Sequence, residues 1–212
     1  PLGVPPPSAP PPQRSHTVTS HAKYTNGRYG AAAIQRAVDY KYHGGPAASG
    51  YGGGGGPMGG GVGVGCHASH RIVCESSQIA MPECGIGLVP DVGGSMLLAH
   101  APSRLGEYYG LTTARMSAGD AILTGFADHF APSASWATLK AILFQSGDVD
   151  AAKTFFAAAP EAPIAEHMEQ IASHFCGEGL GDICTNLRKD TSEFTAHALK
   201  QISRNSPLSM FF

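Results

Sequence analysis

Two carboxylates stand in an unlikely setting in the stretch "MPECGIGLVPDVGG", residues 81–94. Glu83 and Asp91 lie there among prolines, glycines and aliphatic residues. Charged side chains rarely enter such surroundings without a partner or a task. Two carboxylates in different environments can hold different pKa values and divide general acid and general base work between them. The structural alternative is that both acids merely cap turns. Asp91, directly before "VGGSMLL", occupies the place of a helix N-cap. A second stretch, "GGGVGVGCHAS" at residues 59–69, interleaves glycine with valine and small residues. That pattern suits close approach of a neighbour or a ligand to the backbone.

Other reactive residue types carry weaker signals. Cys66, Cys74, Cys84, Cys176 and Cys184 are scattered, odd in number and without CxxC spacing. They read as reduced, partly buried thiols of an intracellular protein. His67 and His70 form an isolated HxxH, a weak metal signal, so the histidines read as solvated or core residues. The formal net charge of −2 offers no general basic surface for nucleic acid. The longest apolar runs are too short to cross a membrane. At 212 residues the chain can build one domain with a real core.

The elements that must position these residues follow from pattern. "HRIVCES" and "SQIAMP" predict two short strands joined by a polar turn at residues 75–77. "GGSMLLAHA" predicts a helix after Asp91, and "PSRLGEYYGLTT" a helix with Pro and Ser at its start. "SAGDAILTG" predicts a helix with a capping box, Ser117 as N-cap and Asp120 three residues on, ending at Gly125. "FADHFA" predicts a strand. Helices are then expected over residues 136–144, 150–158, 163–175, 182–188 and 193–203, with Ser135, Asp148 and Ser192 as caps.

Residues 1–57 have a different character. "PLGVPPPSAPPPQRSH" is expected to be extended and polyproline-like. Residues 1–38 lack Asp and Glu, as a transit peptide would, but the prolines favour a disordered tail or cloning remnant. "NGRYGAAAIQRAVDYKY" predicts a helix in its second half, and residues 44–56 read as glycine-rich loop. The chain opens on Pro1 and closes on "SPLSMFF", which reads as a fragment. Three regions result: a Pro/Gly-rich segment at 1–57, an α/β core at 58–132 and a helical C-terminal region at 133–212.

The run "MGGGVGVGCHASHRIVCESSQIAMPECGIGLVPDVGGSMLLAHAPSRLGEYYGLTTARMSAGDAILTGFADHFAP", residues 58–132, resembles the crotonase superfamily, and within it the 3-hydroxyisobutyryl-CoA hydrolase branch. The ordered combination MGGGVG, MPE, PDVGG carries the likeness, which continues more weakly through "WATLKAIL" and "SEFTAHALKQISRNSPLS". It implies an α/β fold, a spiral of ββα units with a helical C-terminal region, its N-terminal strands here degenerate or missing. It also implies an oxyanion hole of two backbone N–H groups, one of them at Gly60. Glu83 takes the place of the hydrolase glutamate nearest the thioester carbon, as general base or as nucleophile forming an anhydride. Asp91 takes the place of the second acid, holding the substrate hydroxyl or assisting proton transfer.

In hydratases of the superfamily a second glutamate lies three residues beyond the oxyanion glycine, where this chain has Gly63. Thioester hydrolysis is therefore favoured over hydration. The expected reaction is conversion of 3-hydroxyisobutyryl-CoA to 3-hydroxyisobutyrate and CoA, in valine catabolism. The alternatives are a non-catalytic crotonase-like fragment and an isomerase- or hydratase-like enzyme. No metal or redox cofactor is expected, CoA being part of the substrate. The expected partners are an acyl-CoA and further copies of the chain in a homo-oligomer, not nucleic acid or membrane. The expected location is cytoplasmic in a bacterium and the mitochondrial matrix in a eukaryote. The other oxyanion donor belongs upstream, in a segment resembling "FCAGGDIRA". The nearest equivalent, "YGAAAIQRA" at residues 29–37, lacks the aspartate and has Ala32 in a glycine position.

Overall fold

The computed structural model describes residues 60–211. The expectations for the Pro/Gly-rich segment, the helix within residues 26–42 and the upstream oxyanion donor fall outside these residues.

The described chain starts with helix α1 (Gly60–Gly65) and strand β1 (Ile72–Val73). A 3₁₀ turn, Glu83–Ile86, then precedes α2 (Gly94–His100), α3 (Leu105–Thr112) and α4 (Ala118–Leu123). Strand β2 (His129–Phe130) follows and pairs parallel to β1, Ile72 opposite His129 and Val73 opposite Phe130. A parallel pair needs a long crossover, and here the Glu83 turn and α2–α4 supply it. The fold is thus α/β, although the described residues are mostly helical and their strands are short.

The two strand-like segments around the polar turn find separate partners. The turn closes with Ser77 N–H donating to the Cys74 carbonyl (2.9 Å). Ile72 and Val73 then join β2, while Ile79 makes an antiparallel bridge with Met116. Arg71 fixes β1 to β2. Its backbone N–H and its Nε both donate to Asp128 Oδ2, at 2.9 and 2.8 Å, and Nη2 reaches Asp128 Oδ1.

The capping box forms as its sequence predicts. Ser117 Oγ accepts from Asp120 N–H (3.2 Å), and Asp120 Oδ2 accepts from Ser117 N–H (3.0 Å). Asp120 is buried, and its other oxygen accepts from Ile164 N–H (3.0 Å), so one carboxylate ties α4 to the helical C-terminal region. The α3 helix starts at Leu105, later than its Pro and Ser suggested, because Ser103 turns left-handed at φ 56°.

The C-terminal region contains α5 (Trp136–Ser146), α6 (Met168–His174), α7 (Leu180–Lys189), α8 (Glu193–Ile202) and α9 (Pro207–Phe211). Ser192 caps α8 through Thr195 N–H. The helix expected from residue 150 forms instead as a 3₁₀ stretch, Asp150–Phe155. Tertiary contacts draw its end away from the helix axis: Ala157 N–H donates to the Phe130 carbonyl, and Phe156 stacks on His129 at 4.2 Å.

The main core joins Ile79, Met81, Leu105, Met116, Phe126, Ile171 and Leu187. Tyr108 meets Tyr109 and Phe175 edge-on at 5.0 and 5.4 Å. A full aliphatic burial is worth about 1.5–3 kcal/mol, so this layer anchors the crossover that carries Glu83. Ile72, Cys74, Trp136 and Leu139 form a smaller cluster around β1.

Candidate active site

Glu83 opens the 3₁₀ turn that follows Met81 and Pro82. Met81 is fully buried, and the chain entering behind it carries Glu83 to 3 % exposure. Its backbone is fixed, because the carbonyl accepts from the N–H groups of Gly87 and of Leu88 (2.9 Å). Its side chain is less well provided for: Oε2 is buried with no hydrogen-bond partner among the described residues. A buried unpartnered polar atom of this kind costs about 1–3 kcal/mol. Burial pushes the Glu83 carboxyl above its ordinary value, and the charge of Asp91 pushes it further, against its own backbone hydrogen bond.

Asp91 is exposed, in the turn before α2. Its side chain is not the cap of that helix: Gly93 stands at the N-cap position, and Gly94 N–H donates to the Asp91 carbonyl (2.6 Å). The two acids thus lie in opposite environments, one buried and one solvated, within electrostatic reach of each other.

The turn is left-handed at two successive residues, Val92 at φ 45° and Gly93 at φ 78°. Gly93 adopts this freely, whereas a β-branched residue there is an outlier costing about 1–3 kcal/mol. Gly60 is the first residue of α1 among the described residues. The same helix meets the acid turn at Gly63, where an added Cβ would fall 2.5 Å from Val92 Cβ. No side chain fits between them.

Four contacts at or beside this site were not legible from residue types. His67 lies over Gly93, its Nε2 only 2.5 Å from where a Cβ would stand; the HxxH spacing marked this residue only as a weak metal signal, and it read as a solvated or core histidine. From the far end of the chain, Ser206 N–H donates to the Cys84 carbonyl (2.8 Å), and Cys84 Sγ donates to the Ser209 carbonyl (3.6 Å). Asn205 Nδ2 donates to the Leu111 carbonyl (2.7 Å). The start of α9 therefore braces the Glu83 turn from behind. Cys66, Cys74 and Cys84 are buried. A separate cleft of about 760 Å³ is lined by Cys84, Pro90, Leu98, Glu107, Ile183 and Met210, and neither acid lines it.

Residues 53–212 match the family described as enoyl-CoA hydratase/isomerase. The chain belongs to this family. The resemblance to the crotonase superfamily read from the motifs is thereby established, and its hydrolase branch is where the curated relatives fall. The 3-hydroxyisobutyryl-CoA hydrolase, mitochondrial, of Xenopus tropicalis is 37 % identical over 164 residues, covering 72 % of this chain and 43 % of that protein. Among solved structures, a carnitinyl-CoA dehydratase from Mycobacterium thermoresistibile superposes with TM-score 0.71 and 39 % identity, over 74 % of this chain and 46 % of the other. An enoyl-CoA hydratase from Rhodobacter sphaeroides 2.4.1 gives TM-score 0.67 and 50 % identity, over 73 % and 44 %. This crotonase-family chain spans less than half the length of the curated relatives it matches.

Proposed function

We propose that this chain carries the acid pair of an acyl-CoA thioester hydrolase acting on a short branched 3-hydroxyacyl-CoA, 3-hydroxyisobutyryl-CoA in valine catabolism. The observation that carries the reading is the Glu83 carboxylate, buried, unpartnered at Oε2 and biased by the Asp91 charge. A carboxylate with a raised pKa is a stronger base near neutral pH, and an oxygen without a partner is free to take a proton from water. Glu83 draws that proton while the water oxygen bonds to the thioester carbon. The carbonyl oxygen becomes an oxyanion, which Gly60 N–H stabilises. Collapse re-forms the carbonyl and breaks the C–S bond, and Glu83 returns its proton to the departing CoA sulfur, which restores the carboxylate. Asp91 holds the 3-hydroxyl from the solvated side.

The surroundings suit such a substrate. Ile86, Leu88, Val89, Val92 and Met96 expose apolar surface around the acids, matching a short branched acyl chain. The substrate's CoA portion is the expected partner, in a homo-oligomer, with the reaction placed in the mitochondrial matrix for a eukaryotic source and the cytoplasm for a bacterial one. The names of the curated relatives support the hydrolase reading.

A second reading, water addition to an enoyl-CoA, is favoured by the name of the 50 %-identical structural relative. The contact of Gly63 with Val92 weighs against it, because it leaves no space for the second glutamate that hydration uses. Thiol release from 3-hydroxyisobutyryl-CoA by the full 212-residue chain tests the proposal. Wild type is expected to release CoA and Glu83→Gln to lose about 10²–10⁴-fold in kcat. Absence of release by folded wild type sinks the hydrolase reading, and turnover of crotonyl-CoA supports the second. In a single turnover in ¹⁸O-water, label in the Glu83 carboxyl demonstrates the anhydride route, since water opening an anhydride at the Glu83 carbon is the step that puts it there.

A further inference from the structure

The acid turn is held by a residue that the proposed chemistry leaves unassigned. Val92 and Gly93 are both left-handed, a conformation a valine does not hold unaided. Two neighbours press on the pair from the segment that begins with α1. Gly63 backs directly onto the Val92 side chain, and the His67 imidazole covers Gly93, with Nε2 and Cε1 at 2.5 and 2.8 Å from the position of an added Cβ. His67 is otherwise exposed. An exposed aromatic ring against a bare glycine backbone is an economical wedge, because nothing on Gly93 keeps the ring at a distance.

We infer that His67 is a positioning residue: its ring wedges against Gly93, holds the Val92–Gly93 pair in its left-handed form, and so fixes the place of Asp91 relative to Glu83. The inference rests on the hydrolase reading for its kinetic consequence but not for its structural one. The ring acts by contact, not by proton transfer.

Three variants of the full chain test it: His67→Ala removes the wedge, His67→Phe restores a flat ring without nitrogens, and wild type is the reference. In hydrolysis of 3-hydroxyisobutyryl-CoA, His67→Ala is expected to lower kcat by about 10–100-fold with KM nearly unchanged, as misplacement of a reacting group does. His67→Phe is expected to recover most of that loss. A second readout is independent of turnover: infrared titration of the buried Glu83 carboxyl, which the Asp91 charge influences. Its midpoint is expected to move in His67→Ala and to return in His67→Phe. An unchanged midpoint in His67→Ala overturns the inference, as does an unchanged kcat in an active protein. A phenylalanine variant as impaired as the alanine one also overturns it, since the ring nitrogens would then be what matters. If wild type does not hydrolyse the thioester, the hydrolase reading fails while the titration still decides the role of His67.

Discussion

Replacing Glu83 with methionine should make the protein more stable while removing its proposed chemistry. The wild-type side chain is 3 % exposed, and its Oε2 has no partner. Methionine has nearly the same length, no polar oxygen and enough flexibility to fill the same space. Removing the orphaned oxygen should return about 1–3 kcal/mol. In a domain of this size each kcal/mol moves Tm by about 2–4 °C.

The pH dependence separates this cause from ordinary repacking. The folded-state pKa of Glu83 is raised, first by burial and then by the Asp91 charge. A raised acid binds its proton more tightly in the folded than in the unfolded state. Stability from this group is therefore greatest below the unfolded value of about 4.3 and falls as pH rises through the folded value. The advantage of Glu83→Met should be small at pH 4 and grow to its full size above the folded pKa. Urea unfolding of both proteins between pH 4 and pH 8 measures it. A variant less stable than wild type at pH 7, or an advantage that does not change with pH, would refute the reasoning that places an unpaired carboxylate in this site.

Other perturbations follow from the same contacts. Gly63→Glu, which restores the hydratase acid, should cost about 1–3 kcal/mol by overpacking against Val92 and should not confer turnover of crotonyl-CoA; efficient hydration by a fully stable variant would show that the site has room for it. Asp120→Ala removes the capping box and leaves Ile164 N–H buried without its acceptor, so thermal unfolding should reveal a loss of about 2–4 kcal/mol, while Asp120→Ser at an unchanged Tm would contradict the structure. Asp128 is pushed up by burial, but hydrogen bonds from Arg71 prevail and hold its carboxyl below the usual range. Its contribution is complete above about pH 4 and is lost as pH falls through the depressed folded value, so Asp128→Asn should be destabilised at pH 7 and approach wild type in acid. Acid unfolding curves that remain parallel would argue against that ion pair.

How far residues alone revealed this arrangement depends on the range of the interaction. The capping box of Ser117 and Asp120 is local chemistry and was legible, as were α2, α3, α5, α7, α8 and the Ser192 cap. Glu83 and Asp91 were legible as a pair because their apolar setting is itself a sequence fact. Their unlike burial was not, since it depends on which side of the Met81 segment the core closes. Asp91 looked like an N-cap because the helix does begin nearby, but Gly93 takes the cap and only the Asp91 carbonyl serves the helix. The left-handed Val92, the ring of His67 on Gly93 and the brace from Ser206 arise between segments far apart in the chain, where neither propensity nor spacing carries a signal.

Several departures from ordinary protein rules fall together in one short segment. Residues 83–96 contain the buried carboxylate whose Oε2 has no partner among the described residues, the left-handed valine and four exposed aliphatic side chains together with Met96. Outside that segment Arg71 pairs with Asp128, Asp120 satisfies three donors, and Tyr108 meets Tyr109 and Phe175 edge to face, while Ser103 and Thr113 are also left-handed and Leu208 and Phe211 are also exposed. Local strain survives only where the surroundings over-determine it. Here α1 presses on the segment at Gly63, His67 covers Gly93, and α9 holds the Glu83 turn through Cys84. Those supports come from both sides of the segment in sequence, and they contribute no reacting group. Their placement makes sense if the energy held in the acid turn serves the acids, since a merely structural turn would be relieved by exchanging Val92 for glycine or Glu83 for an apolar residue.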